Sequence, residues 1–396
     1  MKAHSLPNTN RIESIDLLRG IVMVIMALDH VRDYFHADAF LYDPTDLTQT
    51  SVILFFTRWI THYCAPVFVF LAGTSAYLVG EKKGLVALSK FLVKRGLWLV
   101  FLELTVVNFA WFFNLHFNLV LLVVIWALGI SMIVLAGLVY LPKKIILSIG
   151  LLLIVGHNLL DNIHVAGTGM NAVGWAVLHE FRFFAYDGFN LFVGYPLLAW
   201  IGVMALGYCF GFYYSSQVDY TIRKRMLIRI GIATIVLFVI IRLINIYGDP
   251  APWSMQSSWV FTVLSFLNTS KYPPSLLYIL MTLGPAILFL GLSEHVVGKF
   301  SRPFITVGRV PMFYYLLHLY FIHISAMIAA VATGYSSSSM VFDTWVTMSP
   351  NLKGYGFNLW IVYGVWITLV LLLFPLCKWY ETYKSNHREN WWLSYL

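Results

Sequence analysis

The sequence predicts an all-α polytopic membrane protein, a single bundle of about ten transmembrane helices with both termini cytoplasmic. Three observations predict it. Of the 396 residues, 60% are hydrophobic and only 11% are charged, against about 25% charged in soluble domains. The mean hydropathy is +0.77. Apolar runs of the roughly 17–25 residues needed to cross a bilayer recur along the whole chain. The excess of 26 Lys+Arg over 18 Asp+Glu would suggest nucleic acid in a soluble protein, but in a membrane protein it first reports topology.

In chain order the runs fall at about 17–35, 63–80, 97–113, 119–140, 145–160, 191–214, 228–247, 276–295, 310–332 and 357–378. The third to fifth are the weakest, because Asn114–Asn118 is a short gap and 145–160 barely spans. Basic residues sort the connections. With the N-terminus inside, all but six of the 26 fall in cytoplasmic segments, from Lys2, Arg11 and Arg19 to Lys378, Lys384 and Arg388. The exceptions are Arg32, Arg58, Arg182, Arg242, Lys271 and Lys353, on or near the opposite side. This asymmetry supports the ten spans and their orientation.

The opposite loops, about 36–62, 161–190, 248–275 and 333–356, are rich in Asp, His, Trp, Tyr, Gly and Pro. Their Trp and Tyr fit an interfacial belt and would equally suit stacking on sugars. No internal repeat of the kind that marks many secondary transporters is evident, and no soluble domain is expected, so residues 1–396 read as one transmembrane domain. Met1 to Glu13 is polar and no small-residue cleavage site follows the first apolar run, so no cleavable signal peptide is expected. The three cysteines, Cys64, Cys209 and Cys377, lie in apolar segments without ligand spacing, which predicts neither a disulfide framework nor a zinc site.

The stretch Ser14 to His36, SIDLLRGIVMVIMALDHVRDYFH, stands apart. Its middle is apolar, yet Asp16, Arg19, Asp29, His30, Arg32, Asp33 and His36 crowd its ends. Ionisable groups at membrane depth are costly and mark function. Eleven residues separate Arg19 from His30. At about 100° and 1.5 Å per residue they share one helix face, about 16 Å apart. Asp29, Arg32, Asp33 and His36 follow the i, i+3, i+4, i+7 pattern of one face. A histidine flanked by Asp29 and Asp33 has the makings of a general base; the plainer alternative is an ion-pair cluster at a helix end.

SIDLLRGIVMVIMALDH resembles the first transmembrane helix of the acyltransferase-3 superfamily, whose members carry an Arg-Gly pair and a histidine eleven positions after the arginine. Arg19 and His30 match that pattern. The continuation, DYFHADAF followed by TRWITHYCAPVFVFLAGTSAYL, is more similar still to the heparan-alpha-glucosaminide N-acetyltransferase catalytic-domain family. There a short outer loop with the catalytic histidine precedes a helix reading roughly P-x-F-x-F-x-x-G, matched by Pro66, Phe68, Phe70 and Gly73. The resemblance is strongest over 11–80. It implies a transmembrane acyltransferase that binds acetyl-CoA from the cytoplasm and acylates an acceptor, usually a sugar, on the other side. His30 matches the wider superfamily and His36 lies nearer the loop histidine of the glucosaminide branch.

A second cluster is GRVPMFYYLLHLYFIH, Gly308 to His323. Arg309 opens the ninth span from inside and His318 lies about mid-membrane. Tyr314 and His318 share a face, whereas His318 and His323 stand about 140° apart. His30 and His318 are also the only pair that would suit a b-type haem, which needs two coaxial ligands. His157, Asp161 and His164 follow i, i+4, i+7, a spacing that can ligate zinc, though solvated roles are the simpler reading and no metal is expected. Glu103 and Asn108, and Arg242 and Asn245, are further polar groups at membrane depth that could pair or line a path.

The resulting expectation is an acetyl-CoA-dependent carbohydrate O- or N-acetyltransferase in a bacterial cytoplasmic (inner) membrane. Its expected partners are acetyl-CoA, a carbohydrate or glycoconjugate acceptor, the bilayer and a second copy in a homodimer; nucleic acid is excluded. His30 or His36 would be base or nucleophile, and Asp29 or Asp33 the orienting carboxylate. Arg19, Asp16, Arg309 and His318 would attend the donor. Gly73, Gly96, Gly129 and Gly202 are expected points at which spans tilt or break to admit the thioester. The rival is a transporter or exporter of a small polar solute that uses the same His and Asp groups as a proton relay.

Overall fold

A helix in lipid must satisfy its own backbone, so ionisable side chains on it can only turn inward or toward the ends. The computed structural model, which describes residues 12–294, 298–387, 389, 390 and 393, follows that constraint. Lys2, Arg11 and Arg388 lie outside the described residues. The chain is mostly helical: α1 Glu13–Phe35, α2 Val52–Thr61, α3 Cys64–Lys83, α4 Leu85–Leu102, α5 Asn108–Phe112, α6 Val124–Leu138, α7 Lys143–Gly156, α8 Met170–Leu178, α9 Leu197–Phe210, α10 Tyr220–Ile244, α11 Trp259–Leu267, α12 Leu276–Ser293, α13 Arg302–Arg309, α14 Pro311–Ala332 and α15 Leu359–Asn386. Among the described residues, seven helical segments are long and apolar enough to cross a membrane. Helix also occupies the other three expected runs. There α1 is too rich in charge, α4 passes through a π-helical turn at Glu103–Val107 into α5, and α6 has only 15 residues.

Several boundaries differ from expectation. Residues 119–122 are not helix but a strand, β1 Leu119–Leu122, which pairs in parallel with β3 Phe189–Val193. β3 forms an antiparallel hairpin with β2 Arg182–Tyr186, giving the order β1-β3-β2. Asp187-Gly188 makes the two-residue turn, with Gly188 at φ +70°, a left-handed backbone that glycine adopts without steric cost. The opposite loops also hold helix: α2 within 36–62, α8 within 161–190 and α11 within 248–275.

α1 is the hub. It packs against α2, α3, α12, α13, α14 and α15. Its tightest neighbour is α13, where the two backbones nearly touch. A Cβ on Gly20 would stand 1.8 Å from the carbonyl oxygen of Phe304, and one on Gly308 1.9 Å from that of Asp16. Gly73, Gly96, Gly129 and Gly202 serve the same end and do not break their helices. Gly73 abuts the Met204 carbonyl of α9, Gly96 and Gly129 face one another across α4 and α6, and Gly202 meets α7 at Ile154. Small residues at such crossings are the usual means of close helix packing in membranes. The real irregularity is the π turn, a form that often marks functional sites.

Other polar groups at membrane depth are occupied with capping. The buried Glu103 accepts from the backbone N–H of Trp126 at 2.9 Å, in the first turn of α6, where a helix start leaves N–H groups without an intrahelical partner. Asn108 donates to the Leu119 carbonyl at 2.8 Å. Arg242 donates to the carbonyls of Ser265, Phe266 and Asn268 at the end of α11, a cation at a helix C-terminus. The Asn245 side chain donates to the Trp253 carbonyl at 2.9 Å and accepts from the Trp253 N–H at 3.0 Å.

Gly308→Ala is expected to lower stability by at least about 1–3 kcal/mol, the usual cost of overpacking, because the obstacle is backbone and cannot rotate away. Gly137→Ala, whose added methyl meets nothing within 4 Å, should leave thermal unfolding in detergent unchanged or slightly raised, as expected for Ala over Gly in a helix.

Candidate active site

The site grows from one face of α1. Arg19, Met23, Met26 and His30 are spaced four, three and four residues apart and share that face. The first three line a cavity of about 300 Å³ bounded also by α3, α4, α6 and α14. At one end the cavity is cationic, with Arg19, Arg95, Arg309 and Lys384 on its wall. Along its length it is apolar, with Phe68, Val69, Leu99 and Met132. Met26 and Tyr315 continue it toward His30, whose ring lies 6.4 Å from that of Tyr315, edge to face.

The cationic end is held by acids from below. Asp16 bridges the two arginines, 3.0 Å from Arg19 and 3.5 Å from Arg309. Arg309 also pairs with Glu381 of α15 at 2.7 Å, and Arg19 reaches the Gly308 carbonyl at 3.2 Å. Asp16 thus sets the arginines in place, while Arg19 and Arg309 face the cavity.

At the other end, His30 Nδ1 lies 2.8 Å from His318 Nε2, with the rings stacked at 5.0 Å and 11°. His318 is fully buried, and its Nδ1 lies 3.0 Å from the Tyr314 carbonyl. A carbonyl only accepts, so Nδ1 of His318 carries the hydrogen. In the neutral pair Nε2 of His318 then accepts from Nδ1–H of His30, which leaves the lone pair of His30 on Nε2. Trp111 stands edge-on to His30 at 4.9 Å. The direct imidazole bond leaves no room between the two histidines for the plane of a haem, so that reading of the pair is corrected by the geometry.

Asp29 and Asp33 look elsewhere. Asp29 is bonded to Arg58 at 2.5 Å and Arg32 at 2.9 Å, with Lys271 at 3.9 Å. Asp33 is bonded to Arg32 at 2.6 Å. His30 makes its hydrogen bond to His318 and to neither carboxylate. His36 closes α1 on another face. Its Nε2 is 4.0 Å from Asp38, and its Nδ1 is buried without a partner. Burial pushes its imidazole below the usual histidine range, with Asp38 opposing the shift. His323, as its rotation from His318 requires, points away and meets the carbonyls of Ala110 and Met340 at 2.8 and 2.7 Å.

Three members of this site carried no motif in the sequence. Trp111 follows the π turn, and its ring also packs on Trp345 at 4.9 Å, which in turn stacks on Phe192 of β3 at 5.5 Å. Arg58 and Lys271 had one signal, their place among the six basic residues that break the charge asymmetry. Chemically the arrangement offers a slot with a cationic end and apolar walls, and beyond its lining residue Tyr315 the His30–His318 imidazole pair.

The sequence profile of the heparan-alpha-glucosaminide N-acetyltransferase catalytic family matches residues 11–247. No curated protein is significantly similar to the chain. That match covers more than half of the chain and includes the His30 face, the cavity walls of α3, α4 and α6, and the sheet. The protein is therefore a multi-pass membrane protein of the heparan-alpha-glucosaminide N-acetyltransferase catalytic family, a family of membrane transferases.

Proposed function

We propose that the protein transfers an acetyl group from acetyl-CoA to a hydroxyl or amine of a sugar or glycan acceptor across the membrane. The observation that carries this reading is the cavity along α1, cationic at the Arg19 end and directed toward His30. Phosphates of the donor would meet Arg19, Arg95, Arg309 and Lys384, where guanidinium groups suit phosphate geometry. The pantetheine arm would run along Met23, Met26 and Phe68, bringing the thioester toward His30. The basic-residue asymmetry supports a cytoplasmic Arg19 end and an acceptor side at the His30 end.

In this reading His30 is the catalytic base. Its Nε2 takes the proton of the acceptor as the acceptor attacks the thioester carbonyl. The new C–O or C–N bond forms, the C–S bond breaks, and the proton passes to the departing thiolate. His318 is a positioning residue, since its bond to Nδ1 fixes which nitrogen is basic. Asp29 and Asp33 act through Arg32, Arg58 and Lys271, which hold the end of α1 and leave positive charge near the developing oxyanion, a favourable arrangement for acyl transfer.

Purified protein with acetyl-CoA and a sugar acceptor should release free coenzyme A thiol and yield acetylated sugar. A solute transporter would consume none, and a protein that neither binds saturating acetyl-CoA nor shifts its melting temperature with it would end the enzyme reading. His30→Ala should lower turnover by about 10²–10⁴, the usual share of a general base, with donor binding retained. Equal turnover in His30→Ala and wild type would move the role to His36. Met26→Trp should obstruct the slot and abolish the acetyl-CoA-induced melting shift while the protein remains folded. A normal shift in that variant would place the donor elsewhere.

A further inference from the structure

The far end of α7 holds a group of side chains that the acetyl-transfer reading does not use. His157 ends α7, Asp161 follows one turn later, and His179 closes α8. Their ligand atoms all lie within 4.8 Å of one another. His164, which the spacing had grouped with the first two, instead lies 3.3 Å from Glu180 and is largely exposed. From this grouping we infer that His157, Asp161 and His179 form a binding site for a divalent cation of the zinc class.

The second observation is His157 itself. It is only 3% exposed, and neither of its ring nitrogens has a hydrogen-bond partner. An imidazole always offers one donor and one acceptor, and leaving both buried and unmade is costly. Its ring is edge-on to that of His179 at 5.5 Å. His179, also 3% exposed, has its Nε2 3.0 Å from Asp161 Oδ1. Two ligands on one tetrahedral zinc stand roughly 3.3–3.5 Å apart, given metal distances of about 2.0–2.2 Å. Small side-chain rotations therefore bring the set to bonding geometry.

The carboxylate is already oriented from behind. Asp161 Oδ2 accepts from Asn158 at 2.8 Å, and Asn158 in turn accepts from the N–H of Leu276 at the start of α12. Such outer support is characteristic of metal ligands. Two imidazoles and one carboxylate leave a fourth position for water, the arrangement of an open zinc site. Binding requires the tautomer of His179 that carries its hydrogen on Nδ1, which frees the Nε2 lone pair now turned to Asp161, and it joins α7 to α8. His179 lies just before β2, whose partner β3 carries Phe192, so the cation would also brace the aromatic wall that reaches Trp111.

The test uses full-length protein purified in detergent without a histidine tag, stripped with chelator and titrated with zinc. Close to one zinc per chain should bind saturably and raise the melting temperature, and cobalt should give the d–d absorption of a tetrahedral site. His157→Gln and Asp161→Asn should weaken zinc binding by more than the roughly 10–100-fold of an outer-shell change, and His164→Ala should behave as wild type. The wild-type titration stands even if a variant fails to fold. No stoichiometric zinc and no melting shift in wild type, or loss of response in His164→Ala with retention in His157→Gln, would overturn the site.

Discussion

Asp29 is a carboxylate on the central helix of a lipid-spanning bundle, and three cations from three different elements answer it. Arg32 comes from α1 itself, Arg58 from α2 and Lys271 from the segment between α11 and α12. Removing one partner from a buried pair leaves uncompensated charge and is far more costly than the net worth of the pair. The cluster therefore specifies how α2 and the α11–α12 segment must dock on α1. It also leaves an excess of positive charge one residue from His30, so the element that anchors the bundle and the electrostatics of the site are the same.

The other end of α1 obeys a steric constraint. Gly20 and Gly308 let the backbones of α1 and α13 touch, which brings Arg309 beside Arg19 with Asp16 between them. The continuation of α13 into α14 then sets His318 against His30. Packing at one end and hydrogen bonding at the other are thus coupled through a short, nearly continuous helical segment. The π turn at Glu103–Val107 adds the third wall: it lets α4 run on into α5 and present Trp111 to His30, while Glu103 itself is retained as the cap of α6.

Some of what sequence reading missed was legible. Phe-Ala-Tyr-Asp-Gly-Phe-Asn-Leu-Phe carries the Asp-Gly signal of a two-residue hairpin, yet its apolar residues merge with the following span and hide the strands. The helix within 36–62 was obscured for a similar reason: Val52–Thr61 is continuous in hydropathy with α3 and so short that length alone did not mark it. The π turn has no sequence signature at all, since it depends on how α4 and α6 meet. Glycines in spans are ambiguous in principle, because a residue without a side chain serves a bend and a close crossing equally well.

By itself the sequence determined the membrane class, the charged central helix and the shared face of Arg19 and His30, because hydropathy and helical periodicity are local properties. It also marked Arg58 and Lys271 as misplaced charges without saying what they answer. Only the tertiary structure decided the partners. His30 bonds to a histidine 288 residues away, Asp29 to arginine and lysine, and His157 meets His179 where spacing had suggested His164. Each choice rests on which helices cross and at what distance, a property of backbone approach that no single segment encodes.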